Sequence, residues 1–146
     1  MKSLRSAFTL VELVVVIAVL VVLVGIAVPL FADSMEYARG SKIIADMHSC
    51  ESAANIYYAK NGFFPTNKDL LVSSYLATWP KPPIGKASVK KHDKNDLALN
   101  IQASKYVYTK PAGSELNIKL GRITLGGMTI EEILSTSESS LTLTDG

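Results

Sequence analysis

Glu12 stands near the mouth of an apolar run, with a short basic leader (residues 1–7, carrying Lys2 and Arg5) ahead of it. Positions 13–32 are twenty consecutive residues without a formal charge, mostly Val, Leu, Ile and Ala. As a helix, that length spans about 30 Å, the hydrocarbon thickness of a bilayer. A carboxylate carried to the middle of a membrane costs about 2.5–3.5 kcal/mol on insertion scales. A plain anchor gains nothing from it. The residue therefore calls for a cationic partner.

A second pair with backbone consequences lies deeper in the run. Pro29 lacks an N–H, so the carbonyl four residues earlier, on Gly25, has no helical donor. Gly25 is also the one residue of the run without a side chain. Weak propensity and a missing hydrogen bond thus fall in one turn. The pair reads either as a fixed kink, which membrane helices tolerate, or as a segment that extends on leaving lipid.

Three architectures fit such an N-terminus. A cleaved secretory signal has an apolar region of about 7–15 residues, shorter than this one, and Gly25, Ile26 and Ala27 lead into Val28 and Pro29 rather than a good cleavage site. A simple signal anchor, its N-terminus held in the cytoplasm by Lys2 and Arg5, explains everything but Glu12. The third accounts for Glu12 as well. Residues 7–13 (Ala, Phe, Thr, Leu, Val, Glu, Leu) resemble the cleavage and methylation motif of type IV prepilins and pseudopilins. The resemblance is specific over residues 1–31 and looser beyond.

That resemblance implies cleavage between Ala7 and Phe8, N-methylation of Phe8, and retention of the apolar segment in the mature chain. The family usually has glycine before the cut, where this chain has Ala7, the smallest substitute. The resemblance also implies that Glu12 of one subunit meets the Phe8 amine of its neighbour, recruiting subunits and setting their register. Two unit charges 4 Å apart attract by about 4 kcal/mol at an effective dielectric of 20, comparable with the burial cost of the acid. Pro29 has a counterpart in type IV pilins, whose filaments melt locally there. The family's additional earlier glycine is absent from this chain.

The 146 residues suffice for one domain beyond the membrane segment. Removing Lys2 and Arg5 takes the basic count from 15 to 13, equal to the 13 acidic residues. A near-neutral mature chain suits close packing against copies of itself and gives no strong pull toward nucleic acid. With one cysteine, Cys50, no intramolecular disulfide is available. Cys50 is expected as a small buried residue of a helix stripe.

The expected fold is α+β: a long N-terminal helix, first membrane-spanning and then amphipathic, packed on a small antiparallel sheet. One helix is expected over residues 8–60, about 80 Å long. After residue 32, Met35, Ala38, Ile43, Met47, Cys50, Ala54 and Tyr57 recur at helical spacing, with Gly40 and Ser41 only a soft spot. Asn61 and Gly62 form a stop signal. Thr66, Asn67 and Asp69 suggest a cap for a short helix over 67–75. Three prolines among residues 80–83 exclude regular structure there. The polar, basic stretch 86–94 reads as an exposed loop. Alternation at 97–101, 106–108 and 116–120 reads as antiparallel strands, 129–134 as a helical turn, and 140–144 as a last strand. The domain reading is a leader at 1–7, a membrane or filament-core half-helix at 8–32, an amphipathic half at 33–60 and a head at 61–146.

Neither histidine, His48 nor His92, has spaced partners for catalysis or metal binding, and His48 reads as an ordinary surface residue. Phosphate-loop, zinc and nucleophile-elbow patterns are absent. Asp93, Asp96 and Asp145 are a weak calcium candidate, since their spacing matches no dedicated loop. No enzyme and no cofactor are expected.

The resemblance implies a self-assembling helical polymer. Its partners would be a prepilin peptidase and methyltransferase, an inner-membrane assembly platform and an assembly ATPase. The precursor would sit in the cytoplasmic membrane and the product in a surface pilus serving adhesion, motility or DNA uptake. Within the family, a pseudopilin of a type II secretion system or competence pseudopilus is the alternative. Outside it, a signal-anchored binding domain or an anchored enzyme remains open.

Overall fold

The computed structural model describes residues 9–72, 74–111 and 122–145. It divides into two compact units, Met1–Met35 and Glu36–Gly146. The expected cut site at Ala7 and Phe8 and the expected strand at 116–120 lie outside the described residues.

Helix α1 runs Leu10–Asn61. In the first unit its side chains face outward throughout, and its best 18-residue window has a mean hydropathy of 3.3 with none of it buried. Val and Ile are only middling helix formers in water. Helical structure nevertheless satisfies the backbone groups of the segment internally, apart from the Gly25 carbonyl opposite Pro29, and internal pairing is what a bilayer demands.

In the second unit α1 turns amphipathic and buries Gly40, Ile43, Met47, Cys50, Ala53 and Ala54. Met35 and Ala38 are exposed, so the core stripe starts later than the spacing predicts and begins at Gly40. The helix runs through Gly40 and Ser41 without a break, as expected, and Gly40 is also a packing contact. A Cβ built on it would lie 2.0 Å from the carbonyl oxygen of Ser88. The helix ends as expected: Gly62 adopts φ +78 and its N–H donates to Tyr58 O at 2.8 Å, a glycine C-cap.

The remaining elements of this unit are β1 (Gly85–Lys90), β2 (Asp96–Ile101), β3 (Tyr106–Thr109), β4 (Arg122–Leu125), α2 (Ile130–Ser135) and β5 (Ser140–Leu143). Among the described residues they form a three-stranded sheet, β1-β2-β5, and a two-stranded sheet, β3-β4. β1 pairs antiparallel with β2, Ala87 opposite Leu99, while β5 pairs parallel with β2, Leu141 opposite Leu99. The fold is α+β as expected, with the added finding that one sheet is mixed.

β1 overturns the reading of 86–94 as loop throughout. Ala87 and Val89 point into the core while Lys86 and Lys90 point out, so period-2 alternation was present beneath the lysines. The helix predicted at 67–75 is a single 3-10 turn, Lys68–Leu70. Its cap is Asn67, whose side chain accepts from the N–H groups of Asp69 and Leu70.

One apolar core joins Ile43, Met47 and Cys50 of α1 to Leu97, Leu99 and Ile101 of β2, Tyr106, Ile123, Leu125, Ile133 and Leu143. A smaller cluster of Ala53, Ala54 and Leu71 lies under Tyr57, Tyr75 and Trp79. The Trp79 indole donates to Tyr106 O at 3.1 Å and the Tyr108 hydroxyl to Pro65 O at 3.0 Å, so β3 holds both the proline-rich loop and the loop that follows α1.

Candidate functional site

Thr9 and Glu12 open α1 as a reciprocal cap. The Thr9 N–H donates to Glu12 Oε2 at 3.0 Å and the Thr9 hydroxyl to the same oxygen at 2.9 Å. In return the Glu12 N–H donates to Thr9 Oγ1 at 3.2 Å. This is the capping box, in which an N-cap Thr and a Glu three residues on satisfy each other's backbone donors. It follows from the sequence: Thr9 precedes the first helical residue and Glu12 falls three positions later.

The cap adds a neutral partner to the cationic one that the sequence calls for: Thr9 supplies Glu12 with two donors from within the chain. A carboxylate has about four acceptor positions, so two filled by Thr9 leave room for an ammonium as well. The helix N-terminus adds its own positive end beside the acid. Chemically, the arrangement presents an oriented anion at the tip of an apolar rod.

Farther along, Gly25 has open space around the position of a Cβ, and Pro29 lies inside a helix that continues through it. One turn beyond Pro29, the Ser34 hydroxyl donates back to Leu30 O at 2.8 Å, a side-chain bond that competes with the backbone ladder.

The calcium candidates do not converge: among the described residues no three His, Cys, Asp or Glu side chains gather as a metal site, and each aspartate has its own hydrogen-bond donors. Asp93 accepts from the Asn95 backbone N–H at 2.9 Å, which with the Asn95 side chain holds its carboxyl below the usual range. Asp96 accepts from the Tyr37 hydroxyl at 2.8 Å and Lys90 at 3.1 Å, and these bonds lower it likewise. Asp145 accepts from the Ser104 hydroxyl and N–H, with the same effect. Cys50 is fully buried, and burial followed by the charge of Asp46 pushes its thiol up to about 12. His48 is exposed on α1 and lies 3.7 Å from Glu51.

Sequence reasoning missed the part played by Thr9, although the Thr-x-x-Glu spacing announces it. It also missed Lys91, a buried ammonium that donates to Thr136 O and Glu138 O at 3.2 Å each. No local signal marks that residue.

The family model for the prokaryotic N-terminal methylation motif matches residues 2–28. The type IV major pilin protein PilE1 of Neisseria gonorrhoeae is 30% identical over 118 residues, covering 81% of this chain and 70% of that protein. This chain belongs to the type IV pilin and pseudopilin family. The family is one of structural subunits. A fimbrial protein of Neisseria meningitidis serogroup B shares 30% identity with this pilin-family chain over 81% of its length and 67% of the relative's. The type II secretion system core protein G of Aeromonas hydrophila is 34% identical over 84 residues, 56% of this chain and 58% of that protein. No solved structure matches this pilin-family chain.

Proposed function

We propose that this chain is the structural subunit of a type IV pilus-like filament and carries out no reaction of its own. The precursor is held in the cytoplasmic membrane by residues 8–32, with Lys2 and Arg5 keeping its N-terminus in the cytoplasm. A prepilin peptidase cuts between Ala7 and Phe8, and Phe8 is N-methylated. The leader is then 1–7, the amphipathic half-helix 33–60 and the head 61–146. An inner-membrane platform and an assembly ATPase draw the subunit from lipid into a helical homopolymer on the cell surface.

The observation that carries the reading is Glu12, an oriented carboxylate beside the helix tip at an otherwise apolar surface. In this proposal it keeps its Thr9 donors and takes the Phe8 amine of a neighbour as its ion-pair partner. A break between Gly25 and Pro29 as the chain leaves lipid belongs to the same reading.

The decisive experiment maps the N-terminus of the protein recovered from filaments by mass spectrometry. Chains beginning with methylated Phe8 are expected; filaments whose chains begin at Met1 would overturn the proposal. The similarity to the Aeromonas core protein G favours a second reading, a pseudopilin of a secretion or competence system. Electron microscopy of shear-released surface material separates the two, since only the pilus reading expects long fibres.

A further inference from the structure

Among the described residues, Lys91 is the one buried charged residue, its side chain 7% exposed. An ammonium removed from water is costly unless its hydrogens are bonded. Here the bonds go to the main chain: Nζ donates to Thr136 O and Glu138 O at 3.2 Å each, while Asp93 Oδ2 stands off at 3.7 Å. An apolar side chain would occupy the same place without that cost. The ammonium is therefore explained by the two carbonyls it serves.

Those carbonyls lie where α2 ends. The last carbonyls of a helix have no partner inside it, and the β1–β2 turn supplies the missing donors. The His92 N–H donates to Leu134 O at 3.4 Å, and the Lys91 ammonium takes Thr136 O. The Glu138 N–H donates to Thr136 Oγ1 at 3.3 Å, a local turn that brings the Glu138 carbonyl to the same ammonium. The gripping side is closed by its own bonds, from the Lys91 N–H to Asn95 O at 2.9 Å and the Lys94 N–H to Lys91 O at 3.0 Å.

From Glu138 the chain enters β5, whose ladder among the described residues runs to β2 alone, from Ala98 opposite Ser140 to Ile101 opposite Leu143. Its apolar hold is small: Leu143 is buried, and Leu141 is half-buried against the core. At its far end Asp145 accepts from the Ser104 N–H and hydroxyl. Cys50 lies buried on α1, so no disulfide ties this segment down.

We propose that residues 136–145 form a strap that opens as one unit, and that Lys91 is its latch. Proteins open locally in cooperative units, each at a cost set by the contacts it breaks. Opening this unit breaks the Lys91 bonds and the ladder to β2, and leaves the antiparallel pairing of β1 with β2 intact. The N–H of Ala98, which donates to Ser139 O, and those of Gln102 and Ala103, which donate to Leu143 O, then turn to water. β2 becomes an open sheet edge, ready to pair with another extended chain. The latch keeps that edge closed.

Residue-resolved hydrogen exchange on the full chain in neutral detergent, over a urea series below the global transition, reads the opening directly. In the wild type the amides of Ala98, Gln102 and Ala103 are expected to share one opening, reached before that of residues 43–54 in α1. Lys91→Met keeps the stem and removes the ammonium. It is expected to speed exchange of those three amides about ten- to a hundredfold, the size of losing hydrogen bonds from a charged donor, with 43–54 unchanged. The wild-type series decides the strap without any variant: exchange of the three amides only through global unfolding would overturn it. An unchanged rate in Lys91→Met would remove the latch. So would a variant that does not fold, or one in which 43–54 accelerate equally, because Lys91 would then serve the whole fold.

Discussion

The α-carbon of Gly40 lies so close to the carbonyl of Ser88 that a methyl group there would come within 2.0 Å of the oxygen and 2.7 Å of a Val89 methyl. Next to it, Arg39 Nη1 donates to Lys86 O at 3.0 Å. Together these contacts lay α1 along β1, an edge strand of its sheet, and covered edges resist pairing with foreign strands.

Gly40→Ala is therefore expected to destabilise the second unit by about 3 kcal/mol, the upper end for overpacking. The obstruction is backbone and cannot swing aside, so the helix-propensity gain of about 1 kcal/mol does not offset it. Urea denaturation followed by circular dichroism measures the difference. Ala45→Gly, on the exposed face of the same helix, should cost only about 1 kcal/mol.

The capping box and the proposed intermolecular pair make separable demands on Glu12. Thr9→Val removes the hydroxyl but keeps the acid, so the helix start should weaken by about 1 kcal/mol, seen as faster exchange of the first-turn amides, while filaments still form. Glu12→Gln keeps a cap acceptor but loses the charge. Membrane insertion should then be normal and filament yield should fall at least tenfold, measured by quantifying sheared fibres. Normal yield with Glu12→Gln would remove the electrostatic role.

Acid should loosen the second unit through its hydrogen-bonded aspartates. The Tyr37 hydroxyl and then Lys90 hold Asp96 below the usual carboxylate range, as Ser104 holds Asp145. A lowered folded value means that the contribution is present above the unfolded value of about 4 and is lost as pH falls through the folded one. The denaturation midpoint should drop as pH falls below about 4. Asp96→Asn should lower the midpoint at pH 7 and shrink the acid-induced drop; an undiminished drop would exclude Asp96 as a source.

Cys50 should resist thiol reagents while the chain is folded. It is 0% exposed and its thiol is pushed up to about 12, whereas the thiolate is the reactive form. Labelling at pH 8 should proceed only as fast as the protein opens and become rapid in denaturant. Fast native labelling would place Cys50 outside the core.

Local pattern made much of this molecule legible. The apolar run, the stop at Gly62, the strands at β2, β3 and β5, and the turn of α2 were read from period and punctuation alone. β1 was hidden because its outward positions are lysines, which made a half-buried strand look like a solvated loop. The helix expected at 67–75 shortened to one 3-10 turn because Asn67 captures the N–H groups of Asp69 and Leu70 locally.

The sequence by itself determined the membrane-length helix, its acid at position 12 with a threonine three residues before, and the family they place it in. These depend on spacing along one chain, where periodicity and capping act over a few residues. Only the tertiary structure decided that β5 runs parallel to β2, that Gly40 is a contact point, and that Lys91, His92 and α2 meet. Those relationships join residues far apart in the chain, such as Gly40 with Ser88 and Lys91 with Thr136. Burial of a shared core brings them together, and no local pattern encodes which distant segments that core will join.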